Sequence, residues 1–385
     1  MPPGSQKSSE LFDLLARLVS IDSINCDLVP GSPGEGEIAA AVASWARERG
    51  LEVHVEETGL AGRPNVIVVA RGKGGGRSLM LNAHMDTVGV AGMENPFRPS
   101  VRDGRLYGRG AMDTKAALAA FMTAAERARD LSLAGDVILT AVVDEEYASA
   151  GTEAVLKKWK ADAAMVGEPT GLQIVTAHKG FAWFEVETRG VAAHGSRPEA
   201  GVDAIAKMGR VLVALERKGA GLAAGRHHPI LGPGSVHASL ISGGQELSSY
   251  PAACRLSIER RTLPGENMEA LEQELRDELA AMARADPSFM ADVRTVFTRQ
   301  PMEVSRSLPA VQALARCVAR VTGAEAMFSG MGAWMDSSLI TAAGIPAVIL
   351  GPRGDGLHGA SEWVELDSVQ ACADIAVEMA REFCR

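Results

Sequence analysis

At 385 residues the chain is longer than one hydrophobic core usually serves, so two domains of ordinary size are expected. Hydrophobic residues make up 46% and charged residues 23%, the balance of a soluble globular protein with a large core. The formal net charge of −9, with no basic patch in view, argues against a nucleic-acid partner or an anionic membrane surface.

The opening Met-Pro-Pro-Gly-Ser-Gln-Lys-Ser-Ser lacks the apolar core of a secretory leader. No run approaches the roughly 18 apolar residues of a membrane span, so a cytoplasmic protein without a membrane partner is expected. Helical spacing of Leu11, Leu14, Leu15 and Leu18 predicts a helix over 10–19, and the same pattern over 36–49 stops at Gly50. Residues 51–57 and 65–71 read as strands joined through a turn to the next one by the glycine-rich 71–77. That glycine run lacks the order of a phosphate loop, and no helix follows it.

The chain is organised around 79–113. Leu-Met-Leu-Asn-Ala-His84-Met-Asp86 reads as a buried strand, and on a strand residues two apart point the same way. An imidazole and a carboxylate so placed suit a metal site, one binding the ion and the other fixing the ring's tautomer. Residues 114–129 are alanine-rich and helical, with Asp113 at the expected N-cap. Strands are predicted over 136–144, ending in Asp144-Glu145-Glu146, and over 163–167, ending in Glu168-Pro-Thr. A last one, 347–350, is followed by a glycine-rich loop to His358. Strands alternating with helices predict an α/β fold, a mostly parallel sheet with helices on both faces, which binds ligands beyond the carboxyl ends of its strands.

From 180 to about 300 the rhythm changes to β-α-β-β-α-β, the ferredoxin-like order, after which the α/β pattern resumes. The expected organisation is therefore a discontinuous catalytic domain, 1–179 and 300–385, with an inserted α+β domain at 180–299. The five cysteines, Cys26, Cys254, Cys317, Cys372 and Cys384, are odd in number and without CxxC spacing, which argues against a disulfide framework and a thiolate zinc site.

Two histidines and several carboxylates form a nitrogen and oxygen donor set suited to zinc, cobalt or manganese. The excess of carboxylates suggests two ions, since one bridging carboxylate can serve both. Of the adjacent Glu145 and Glu146, one would bind metal and the other would take a proton from water. Each signal alone has a plainer reading. Adjacent acids often just favour a helix dipole, and a lone His-x-Asp is often a surface hydrogen bond. His54, His178, His227, His228 and His237 read as structural or solvated.

Together these residues resemble the M20 metallopeptidases and aminoacylases, the family of acetylornithine deacetylase, succinyl-diaminopimelate desuccinylase and glutamate carboxypeptidase. The resemblance covers nearly the whole chain. It is carried by Asn-Ala-His84-Met-Asp86-Thr-Val, Tyr-Gly-Arg-Gly-Ala-Met-Asp113-Thr-Lys, Asp-Glu145-Glu146, Gly-Glu168-Pro-Thr, Ala-His194-Gly-Ser-Arg-Pro and the final loop to His358.

The resemblance implies His84 and Glu168 on one ion, Glu146 and His358 on the other, and Asp113 bridging. It implies Asp86 orienting His84, and Glu145 as general base to a metal-bound hydroxide. The inserted domain would be a lid and dimerisation domain of a homodimer, with His194 reaching the partner's site to stabilise the oxyanion. Arg261, Gly330, Gly332 and Ser248 match substrate-binding positions, although an arginine on a strand equally suits a salt bridge. Where many relatives carry asparagine after the Gly-Gly of this domain, here Ser248 follows Gly243-Gly244, which puts direct transfer of a relative's specificity in doubt. The implied activity is hydrolysis of the amide of an N-acyl amino acid. A dipeptidase or carboxypeptidase on short peptides is the nearer alternative, and a non-catalytic metal- or amino-acid-binding protein the more remote one.

Overall fold

The computed structural model describes residues 3–90 and 92–385; Met1 and Pro2, part of the stretch read for a leader, lie outside the described residues. In chain order the elements are α1 Pro3–Val19, α2 Gly36–Glu48, β1 Glu52–Glu56, β2 Asn65–Ala70, β3 Leu79–His84, β4 Ser100–Arg102, β5 Arg105–Tyr107, α3 Lys115–Arg129, β6 Val137–Val142, α4 Ala150–Lys158, β7 Ala163–Val166 and β8 Ile174–His178. They continue with β9 Gly180–Arg189, α5 Ala204–Ala224, β10 His227–His228, β11 Gly232–Pro233, β12 Ser235–Gly243, β13 Ala253–Thr262, α6 Met268–Ala285, β14 Met290–Arg299 and β15 Met302–Glu303. The last are α7 Pro309–Thr322, β16 Phe328–Met331, α8 Ser337–Ala342, β17 Ala347–Ile349, β18 Gly354–Asp355, β19 Trp363–Glu365 and α9 Leu366–Phe383. Two compact units result. One comprises the chain up to Thr176 with Val304–Ser329 and Met335–Arg385, and the other Ala177–Glu303 with Gly330–Trp334.

The first unit is built on a mixed sheet whose centre, β6, β3, β7 and β17, is parallel. Its flanks are antiparallel, β1 with β2, β2 with β6 and β17 with β8. The eight residues between β1 and β2 are too few for a crossover, so that pair must run antiparallel. Every residue of β2, β3, β6 and β7 is buried, as expected for strands covered on both faces. Helix α3 explains its own composition. Packed between β2, β3 and β6 on one side and α1 and α9 on the other, it is enclosed nearly all round, and its small alanines let these neighbours approach closely. Helices α4 and α8 pack on each other and on β6 and β17.

The N-cap expected of Asp113 is corrected by the structure. Helix α3 begins at Lys115 with Thr114 in the cap position, and no side chain caps it. Thr114 Oγ1 instead donates to Gly167 O at 2.6 Å, and Asp113 turns its oxygens to two imidazoles.

The second unit is a four-stranded antiparallel sheet in the order β12-β13-β9-β14, with α5 and α6 supplying the other half of its core. Alternate residues of β9 and β13 are buried, so Ala182, Phe184, Val186, Leu256 and Ile258 meet Val211, Leu215, Leu271 and Leu275. Both helices are capped from the sequence: Asp203 accepts from Ala206 N, and Asn267 from Glu269 N and Ala270 N. Among the described residues no helix is long and apolar enough to cross a membrane.

Candidate metal centre

Strands β6, β3, β7 and β17 are adjacent and parallel, so their carboxyl ends line one edge of the sheet. His84 is the last residue of β3, Glu145 and Glu146 follow β6, Glu168 follows β7, and His358 lies beyond β17 on the loop between β18 and β19. His84 Nε2 stands 3.1 Å from Asp113 Oδ1 and 4.0 Å from Glu168 Oε1. His358 Nε2 stands 3.4 Å from Asp113 Oδ2 and 3.4 Å from Glu146 Oε2. The two oxygens of one carboxylate thus face two different imidazoles. His84, Glu145 and Glu168 offer donor atoms within 4.8 Å of one another, and so do His84, Asp113 and Glu146.

Asp86 organises the far side of this cluster. Its Oδ1 accepts from Glu145 N and its Oδ2 from Glu146 N, both at 3.1 Å, so one buried carboxylate fixes the backbone that carries the glutamate pair. His84 Nδ1 lies 2.9 Å from Asp86 O and 3.4 Å from Asp86 Oδ1, so the ring is held more closely by the main chain than by the carboxylate.

The electrostatics follow from four acids gathered with two histidines. Burial opposes the charge on His84, but its bonds to Asp113 and Asp86 hold the imidazolium well above its usual range. His358 is raised to about 10 by Asp113 and Glu146, burial opposing. Desolvation of the half-buried Asp113 acts the other way, yet the bonds from His358 and His84 hold it below the ordinary carboxylate range. Burial and then Glu168 push Glu145 well up, burial pushes Glu168 up, and Glu146 rises to about 6 through burial and the neighbouring Asp113. The raised proton affinity of both imidazoles favours protons there, which offset the surrounding acids. A divalent cation would replace those protons, and a set of imidazole and carboxylate donors suits such an ion.

Sequence reasoning missed the residues that hold the cluster. Asn25 Nδ2 donates to Asp86 Oδ2 at 2.9 Å and to Asp144 Oδ1 at 3.1 Å. Arg63 binds Glu35 and Asp144, and Glu35 Oε1 accepts from Asp144 N. Asp144 itself takes φ 69°, a left-handed conformation that these partners stabilise. Asp336 is buried, accepts from Thr152 Oγ1 at 2.6 Å and is raised by burial to about 6. Lys115 is also buried, Nζ 2.7 Å from Ile21 O, and burial lowers its ammonium to about 7. The Asp and Lys beside known motif residues were visible in the sequence; Asn25, Glu35, Arg63 and Asp336 stand too far away along the chain to carry any local signal.

The remaining candidates, His194, Ser248, Arg261, Gly330 and Gly332, belong to the second unit. His194 is exposed, with Nδ1 accepting from Ser196 N at 3.2 Å and lying 2.8 Å from Ser196 Oγ. A neutral ring so held carries its proton on Nε2. Ser248 O accepts from Gly195 N at 2.7 Å, which ties the two loops together. Arg261 donates from Nε to Glu259 Oε1 at 2.6 Å and sits over the Phe181 ring, so the salt-bridge reading describes its present partner. A side chain at Gly330 would collide with Leu231, whereas Gly332 faces open space.

Comparison with known proteins identifies the family and the fold. The family model described as peptidase family M20/M25/M40 matches residues 80–382. The acetylornithine deacetylase of Myxococcus xanthus is 31% identical over 385 aligned positions, 96% of each chain. The crystal structure of aminopeptidase PepT from Bacillus cereus superposes with a TM-score of 0.81 at 22% identity, covering 98% of this chain and 99% of that one. The YXEP protein of Bacillus subtilis, described as a dinuclear metal-binding peptidase of the M20 family, superposes with a TM-score of 0.76 at 16% identity, covering 98% of both chains. With its carboxylates and imidazoles gathered at the strand ends, the chain belongs to peptidase family M20/M25/M40 and is a metal-dependent amidohydrolase.

Proposed function

We propose that this protein is a two-metal deacylase that hydrolyses the amide of an N-acyl amino acid. The observation that carries the reading is Asp113, whose two oxygens face His84 on one side and His358 on the other, as a carboxylate shared by two ions requires. His84 and Glu168 would hold one ion, Glu146 and His358 the other, and zinc is the first choice with cobalt or manganese also compatible with these donors. When bound, such a pair polarises the substrate carbonyl and lowers the pKa of water.

The chain's own residues do the rest. Glu145, shielded beside Glu168 and held by Asp86 through its backbone N–H, takes the proton of the attacking water. Its raised proton affinity suits it to return that proton to the leaving amine. His194, with Nε2–H available as a donor, stabilises the oxyanion from the partner subunit of a homodimer. The unpaired edge of β12, with Leu240 73% and Ile241 54% exposed, supports association through the second unit, which acts as lid and dimerisation domain. Arg261, Ser248 and the backbone at Gly330 and Gly332 hold the substrate's carboxylate. For Arg261 this means exchanging Glu259 for the ligand. The preference for acyl amino acids over peptides rests on the deacetylase relative.

The test is amine release by metal-stripped protein re-supplied with zinc, cobalt or manganese, on N-acetyl and N-succinyl amino acids, longer N-acyl amino acids and dipeptides. Metal-restored cleavage of acyl amino acids is expected. Cleavage of dipeptides alone would replace the deacylase reading with a dipeptidase one, and two bound ions without any turnover would indicate a binding protein.

A further inference from the structure

We infer that the buried Arg109–Glu362 pair is the positioning device for the His358 half of the metal centre; this rests on the paired-metal reading above. Both side chains are 1% exposed. Glu362 Oε2 accepts from Arg109 Nη1 at 2.7 Å and Gly110 N at 3.0 Å, and its Oε1 accepts from Met112 N at 2.8 Å and Asp113 N at 3.1 Å. One carboxylate therefore shapes the whole turn that delivers Asp113. The other arm of the guanidinium, Arg109 Nη2, donates to Gly359 O at 2.9 Å, one residue beyond His358. His358 stands at φ 57° with its side chain 53% exposed, so its own packing does little to fix it.

The two segments meet because β5 and β19 pair antiparallel, Tyr107 opposite Trp363, which sets the start of the Asp113 turn beside the end of the His358 loop. Arg109 and Glu362 then lock that meeting. A buried ion pair is weak evidence of stability, because desolvation offsets most of its attraction, so its specific geometry is the better reason for its presence here. The fork matters: a guanidinium can bind Glu362 and Gly359 O together, whereas an ammonium is a single point charge. His84 itself is placed differently, by β3 and by Asp86 O, and meets this pair only through Asp113.

The experiment is a titration of the apo-protein with cobalt(II), followed by visible absorption and by equilibrium metal content, for the unsubstituted chain and Arg109→Lys. The unsubstituted chain takes two ions. Arg109→Lys weakens the His358 ion about 10- to 100-fold, as loss of a supporting contact around a metal ligand does, and weakens the other, which depends on this turn only through the shared Asp113, by clearly less. In a His358→Ala background Arg109→Lys adds no further loss, since both act on the same ion. Equal weakening of both ions, or of neither, overturns the proposal while leaving the paired-metal reading intact. Fewer than two ions on the unsubstituted chain overturns both. If Arg109→Lys fails to fold by circular dichroism, Glu362→Gln is titrated in its place with the same expectation for the His358 ion; failure of both to fold makes the pair a folding element and overturns the positioning role.

Discussion

The candidate residues of the two units are held in opposite ways. In the first, His84, Asp86 and Glu168 are at most 5% exposed and Asp86 is held by Asn25 and two backbone N–H groups. In the second, His194 lies on an exposed loop and Arg261 already has a carboxylate partner in Glu259. The difference suits the two tasks proposed for them. Groups that hold ions must be preorganised, because moving them during the reaction would cost the energy that the site is meant to supply. Groups that meet a ligand from outside need access, and their contribution is realised only when that ligand is present.

The sharpest test of this contrast is Glu145→Gln. It should keep both ions, because Glu145 is assigned to proton transfer, and reduce kcat by about 10² to 10⁴ or more. Single-turnover kinetics with parallel metal analysis measures it; ordinary turnover with both ions bound would remove Glu145 from the mechanism. Next in size is His194→Ala, expected to lower kcat about 10² to 10³-fold, as loss of one oxyanion donor does, with metal affinity and thermal midpoint unchanged because the residue is exposed. An effect on metal affinity instead would show that the distinction between the two regions is drawn in the wrong place.

The smallest effect expected is one of pH on the metal-free protein. His358 is raised to about 10 by Asp113 and Glu146, against an ordinary imidazole value of ~6.5 in the unfolded chain. Its contribution to stability is therefore complete below pH ~6.5 and is lost as pH rises through about 10. An ion must displace that proton and the one on His84, so metal affinity should rise with pH and binding should release protons. Calorimetry at pH 7 in buffers of differing ionisation enthalpy reads this directly; a binding heat independent of buffer would contradict the protonated apo cluster.

How much was legible in the chain depends on how far each signal reaches. The spacing of His84 and Asp86, the acidic pair after β6 and Glu168 after β7 are local, and strand ends in a parallel sheet turn local positions into a shared edge. Helix α2 ends at Glu48 with Arg49 as its C-cap, directly before Gly50 at φ 70°, as the position of that glycine predicts. The cap expected of Asp113 failed because a carboxylate between two imidazoles gains more there than from a helix end, and that competition is decided by residues 29 and 245 positions away. The antiparallel flanks of the sheet were likewise invisible in the alternation of strands and helices.

What the sequence by itself determined is the elements that carry the donors and the chemistry of those donors: buried strands from continuous apolar runs, an alanine-rich central helix, and nitrogen and oxygen ligands without thiolates. Only the tertiary structure decided which distant groups hold those donors, Asn25 and Arg63 behind Asp86 and Asp144, and Arg109 and Glu362 between Asp113 and His358. The reason is physical. Local spacing fixes where a side chain points along its own element, whereas a buried charge can be placed only against whatever partner the folded chain brings within hydrogen-bonding distance.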